Sequence, residues 1–156
     1  MNNNGMFIAA WLSVYLLLPG LVTAETGKVY PDSVKELVAQ AKKSIKTIDM
    51  RRFKAALVTQ DYDLIIDVRE PGEYAAGYIP GAINIPRGVI EFKIWSYVGY
   101  PDKLNNGKKI LLYCKTGGRC SLAARSLQDL GFTNVMSVDM KFTDWVKAGY
   151  PVQAND

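Results

Sequence analysis

The chain has 156 residues, enough for one domain with a substantial core. Hydrophobic residues make up 49% and charged residues 22%, the balance of a globular chain and not of a disordered one. The net charge of +4 suits an anionic substrate and is too small and scattered for nucleic acid, and the absence of histidine excludes a Cys–His pair and any histidine metal site.

Met1–Ala24 reads as an export signal. Met6 to Leu18 is almost wholly apolar, Pro19-Gly20 breaks the pattern, and Val22-Thr23-Ala24 offers small residues for cleavage. The run is short for a bilayer span, which needs ~20 residues. Cleavage after Ala24 is therefore expected over an uncleaved anchor, leaving no membrane span. The exported chain then starts at Glu25 in an oxidising compartment, the periplasm if the source is Gram-negative. Residues 25–46 carry an N-terminal amphipathic helix over Ser33–Lys46. Val34, Leu37, Val38, Ala41 and Ile45 share one face, Ser33 and Glu36 offer a capping box, and the lysines are solvated.

Thr47-Ile48 reads as a short strand, and Asp49 caps a helix from Met50 to about Leu57. Asp63–Val68, with Leu64, Ile65 and Ile66, is a core strand, parallel and central. Asp67 and Arg69 fall at its C-terminal end, the edge where open α/β sheets form their sites. Both are supporting candidates. Asp67 is expected to fix loops by hydrogen bonds, and Arg69 to join an ion-pair cluster with Glu70 and Glu73. Pro71–Ala76 is a short helix, Gly77–Gly81 a turn and Ala82–Ile85 a short strand. Gly88–Val98 patterns as a helix with Ile90, Ile94 and Trp95 inward. Tyr97, Tyr100 and Pro101 follow as satellite packing, and Asn105-Asn106-Gly107 as a turn.

Ile110–Tyr113 is a buried strand that stops at Cys114. Lys115, Thr116, Gly117, Gly118, Arg119 and Cys120 follow, and a helical pattern then runs from Leu122 to Leu130, ended by Gly131. A strand, a short glycine loop and a helix gather backbone N–H groups into an anion cradle. The same field, with Lys115 and Arg119, favours thiolate over thiol. A core cysteine gains nothing from two glycines and two cations directly after it, so Cys114 is the candidate nucleophile. Val135–Val138 is the last strand and Phe142–Lys147 the last helix, with Trp145 inward. Residues 153–156 are a tail.

Cys114-Lys115-Thr116-Gly117-Gly118-Arg119 resembles the active-site loop of single-domain rhodaneses, C-x-x-G-x-R. Ile66 to Tyr74 and Gly77 to Pro86 resemble that family's other signature, in the right order. The resemblance implies an α/β domain over 47–152, a central parallel sheet flanked by helices. It implies a sulfurtransferase in which Cys114 takes sulfane sulfur from a small anionic donor, thiosulfate or a polysulfide. A Cys114 persulfide then serves a thiol or cyanide acceptor. Lys115 to Cys120 bind the donor, with no metal and no cofactor. The chain departs from the family pattern at Tyr78, where histidine is expected, and at Met140-Lys141, where a Gly-Gly pair is expected. The second departure is expected to alter the wall beside Cys114.

Two other readings compete. A cysteine phosphatase or arsenate reductase uses C-x5-R, one residue longer than the C-x4-R present here, and so with more room for a tetrahedral oxyanion. A non-enzymatic persulfide carrier or docking module would bind sulfur without turnover. Similar loops carry a small hydroxyl residue at the place of Cys120. That cysteine either resolves the Cys114 persulfide as a disulfide or substitutes structurally. The second is favoured, because a loop splayed around an anion is expected to hold its ends apart.

Overall fold

The computed structural model describes residues 33–154. The export signal over Met1–Ala24 and the first part of the 25–46 segment lie outside the described residues. Among those described, no helix is long and apolar enough to cross a membrane.

Five short strands form one sheet: β1 (Lys46–Asp49), β2 (Leu64–Asp67), β3 (Ala82–Asn84), β4 (Ile110–Tyr113) and β5 (Val135–Asp139). Their order is β1-β5-β4-β2-β3 and every pairing is parallel. This is the expected architecture; its interior strands β2 and β4 are apolar runs without polar alternation, which must be covered on both faces. β4, not the strand expected over Asp63–Val68, lies in the middle with all four residues buried, and β2 is its interior neighbour. The side chains of β4 alternate between two cores. Ile110, Leu112 and then Cys114 face one cluster with Val68, Ile90, Ile94, Leu127 and Phe132. Leu111 and Tyr113 face the other with Phe53, Val138 and Trp145. The alternation therefore delivers Cys114 to the first face.

That face is covered by α5 (Gly118–Asp129), on which α1 (Val34–Ser44) packs in turn. The opposite face is covered by α2 (Met50–Thr59) and α6 (Phe142–Lys147), through Phe53 and Trp145. On the α5 face, α4 (Ile90–Lys93) adds Ile90 to the Cys114 cluster, while α3 (Pro71–Ala75) follows β2 in the chain. The caps fall where the sequence puts them. Ser33 Oγ accepts from the Glu36 N–H, and Asp49 accepts from the Arg52 N–H at 2.7 Å.

Three further expectations are corrected. The apolar stripe of α1 is covered only at its C-terminal end: Ala41 and Ile45 are buried, while Val34 is 67% exposed. The single helix expected over Gly88–Val98 is broken into a 3₁₀ turn at Arg87–Val89, α4, and a second 3₁₀ turn at Ile94–Tyr97. Gly88, Val89 and the Trp95-Ser96-Tyr97 run are weak helix formers, so only the burial of Ile90 and Ile94 is kept. Finally, α5 begins at Gly118, four residues before its apolar pattern does. Its first turn is committed to the loop, so periodicity does not mark it.

Candidate active site

β4 ends by handing the chain to Cys114, and α5 opens at Gly118 after a left-handed turn at Gly117 (φ +86°). The loop is fixed from three sides. The Lys115 carbonyl accepts from the Phe142 N–H at 2.9 Å. The Gly117 carbonyl accepts from Ser121 Oγ at 2.7 Å, and Cys120 Sγ lies 3.3 Å from it. Asp139, at the end of β5, stands over Gly117 and accepts from Lys42 Nζ at 2.8 Å.

Cys114 is only 1% exposed. Its Sγ accepts from the Cys120 N–H at 3.4 Å, and Cys120 Sγ lies 3.4 Å away as a second donor. The thiol is held well below its usual range, at about 6. The largest cause is the hydrogen bond from Cys120; burial opposes it, and the N–H groups of Cys120, Thr116 and Gly117 add to the lowering. Cys120 moves the other way, held up by its bond to Cys114 and by burial. The pair shares one negative charge, resting on Cys114. The expected separation of the loop's ends is overturned, since the first turn of α5 folds back and brings the two sulfurs together. Cys120 does pack beside the helix, where Ser137 Oγ donates to its sulfur at 3.3 Å and the Val138 carbonyl lies 3.5 Å away.

Lys115 and Thr116 are exposed at the mouth of the loop. Arg119 is half-buried and already engaged. Its guanidinium grips Glu73 of α3 through two bonds of 2.6 and 2.9 Å, with Glu70 at 3.9 Å. Glu73 is thereby held down to about 2, chiefly by that hydrogen bond. The expected cluster of Arg69 with Glu70 and Glu73 is corrected accordingly: those carboxylates belong to Arg119. Arg69 instead forks onto Asp67 at 2.6–3.0 Å, donates to the Gly77 carbonyl at 2.6 Å and lies 4.0 Å over the Phe142 ring. Asp67 is fully buried and Arg69 is 4% exposed. This pair braces the turn after α3, and Asp67 lies in register with Tyr113, the residue before Cys114. Removing one partner of such a pair leaves a buried charge, typically at a cost of about 3–5 kcal/mol.

Sequence reading missed Asp139, Glu73 as the partner of Arg119, and Ser137. It also missed a groove of about 410 Å³ beside the loop, lined by Val34, Lys35, Val38, Thr116, Arg119 and Leu122. No group of acidic, cysteine or histidine residues that could hold a metal occurs among the described residues. The arrangement can hold a thiolate at the focus of several donors and stabilise a single negatively charged sulfur or a small anion there.

The family description "Rhodanese-like domain" matches residues 49–148. The chain belongs to this family. Thiosulfate sulfurtransferase 16 of Arabidopsis thaliana, a chloroplastic protein, is 32% identical over 114 residues, covering 62% of this chain and 90% of that one. YrkF of Bacillus subtilis, named for sulfur carriage, is 33% identical over 102 residues, 65% of this chain but 51% of YrkF. The chain thus spans about half the length of that relative. Among solved structures, RPA3614 of Rhodopseudomonas palustris, described as a possible tyrosine phosphatase, is 29% identical with a TM-score of 0.67, covering 81% of this chain and 98% of that one.

Within this rhodanese-like domain the two departures are absorbed by packing. Tyr78 stacks on Tyr74 at 4.1 Å between ring centres and pairs its backbone with Gln153. Met140 packs with Phe53, Tyr113 and Trp145 on the face away from Cys114. The expected change in the wall beside Cys114 is therefore not made by the Met140 side chain.

Proposed function

We propose that this domain moves sulfane sulfur from thiosulfate or a polysulfide to a thiol or cyanide through a persulfide on Cys114. The observation that carries the reading is the buried Cys114 sulfur at the focus of the Thr116, Gly117 and Cys120 amides and the Cys120 thiol, which together favour its thiolate. Cys114 Sγ attacks the outer sulfur of thiosulfate, the S–S bond breaks, and sulfite leaves with the electron pair. The loop amides then stabilise the charge on the terminal sulfur. A thiol attacks that sulfur and returns the thiolate. The Arabidopsis relative, named for thiosulfate, supports this donor class. The reading of Met1–Ala24 as an export signal supports a reaction outside the cytoplasm.

The phosphatase description of RPA3614 favours a second reading. The loop of this chain argues against it, because Cys114 to Arg119 spans one residue fewer than the phosphatase pattern and offers less room for a tetrahedral oxyanion. The test is thiosulfate:cyanide turnover measured beside hydrolysis of a general aryl phosphate. Sulfur transfer is expected, abolished in Cys114→Ser, with the loading rate rising through a midpoint near pH 6 as the thiolate forms. Faster hydrolysis of the aryl phosphate would establish the phosphatase. Loading without turnover to any acceptor would establish a carrier.

A further inference from the structure

Cys120 is a second thiol that the transfer reaction above does not need as a thiol. A hydroxyl at its position, as similar loops carry, donates a hydrogen bond to Cys114 equally well. Sulfur can do something that oxygen cannot. Its Sγ lies 3.4 Å from Cys114 Sγ, both cysteines are unpaired, and both are buried. A disulfide needs about 2.05 Å, so closing the bond requires a shift of roughly 1.4 Å within one helical turn. Ser137 Oγ donates to the Cys120 sulfur at 3.3 Å and opposes the burial and the Cys114 bond that keep Cys120 protonated before loading.

We propose that Cys120 resolves the Cys114 persulfide, closing a Cys114–Cys120 disulfide and expelling hydrosulfide. The domain then reduces sulfane sulfur as well as transferring it. This rests on the persulfide reading of Cys114 given above. In the loaded state the terminal sulfur occupies the amide cradle and carries the charge. Cys120 Sγ attacks Cys114 Sγ, forming the Sγ–Sγ bond as the bond to the terminal sulfur breaks. The departing sulfur takes the electron pair and the Cys120 proton and leaves as HS⁻. The two cysteine sulfurs are oxidised to a disulfide and the sulfane sulfur is reduced to sulfide, so no outside oxidant enters. Before loading, the bond to Cys114 and burial hold that proton on Cys120; after loading the charge lies on the terminal sulfur, which takes the proton as it leaves. Reopening the disulfide takes an external thiol reductant, which is oxidised to its own disulfide, so the release is one event per chain in its absence.

The experiment incubates the reduced chain with stoichiometric thiosulfate and no acceptor. It follows intact mass, trapped hydrosulfide and the non-reducing peptide map. The wild type is expected to gain one sulfur atom, then to end lighter by two hydrogens, with one hydrosulfide per chain and a Cys114–Cys120 peptide pair. Cys120→Ser is expected to stop at the sulfur-loaded mass with no hydrosulfide, and Cys120→Ala serves as a second variant should serine disturb the fold. A wild-type persulfide as long-lived as that of the variants overturns the proposal. So does hydrosulfide released while Cys120 is recovered unpaired. Absence of sulfur loading in every form overturns the persulfide reading itself, and the proposal with it.

Discussion

Gly117 and Gly118 are neighbours with different obligations. Gly117 has φ +86°, and a Cβ there would stand 2.6 Å from Asp139 Oδ1. A side chain is opposed twice, by the left-handed backbone and by a carboxylate that Lys42 holds in place. Gly118 is the first helical residue, and a Cβ there would meet only Val38 Cγ2 at 3.6 Å, an ordinary contact. Gly117→Ala is expected to destabilise by about 1–3 kcal/mol. It should also slow sulfur loading, because the Gly117 carbonyl anchors Ser121 and lies against Cys120. Gly118→Ala is expected to stay within about 1 kcal/mol of the wild type. Urea midpoints at unchanged slope separate the two. Residue type alone does not reveal which of two adjacent glycines takes the left-handed turn, so the sequence reading gave both the same part.

The helices α3 and α5 are joined across the mouth of the site by Glu73 and Arg119. Because folding depresses the Glu73 carboxyl from its usual value near 4.5 to about 2, the bond contributes stability above the upper value. That contribution is lost as pH falls towards the lower one. The same bond keeps the guanidinium from an incoming anion. Glu73→Gln is expected to release Arg119 and lower the KM for thiosulfate, most clearly at low salt. Arg119→Ala is expected to raise KM, by about 1.5–3 kcal/mol in kcat/KM. A KM that rises in both variants would make Arg119 a brace for α3 only. At this scale the sequence was legible where information is contiguous. The apolar runs marked β2 and β4, Ser33 and Asp49 marked helix starts, and the loop from Cys114 to Arg119 read as one unit. Partners distant in the chain were not legible, as the pairing of Glu73 with Arg119 shows. The Asp67–Arg69 pair could have been found, since residues two apart on extended chain share a face. The nearby Glu70 and Glu73 drew Arg69 to the wrong partners.

Across the whole described molecule, a parallel sheet brings all its strand ends to one rim. Cys114, Asp139 and the Asp67–Arg69 pair stand at the ends of three different strands on that rim. The rim is closed from the opposite face by α6, whose first N–H reaches the Lys115 carbonyl. A peptide unit is planar and trans, so its C=O and N–H point in opposite directions. Holding the Lys115 oxygen outward therefore aims the Thr116 N–H at the sulfur. A half-turn of this single plane would replace a donor by a lone pair and convert the cradle from attracting anions to repelling them. The bond from α6 is thus a latch on the polarity of the loop. Phe142→Pro removes the latching N–H at a first-turn position that tolerates proline. Phe142→Ala removes only the ring. Proline alone is expected to raise the midpoint of the loading–pH profile above about 6, because the thiolate loses a donor. An equal shift in both variants would trace the effect to the ring stacked on Arg69, and equal midpoints in all three proteins would show that the plane holds without α6.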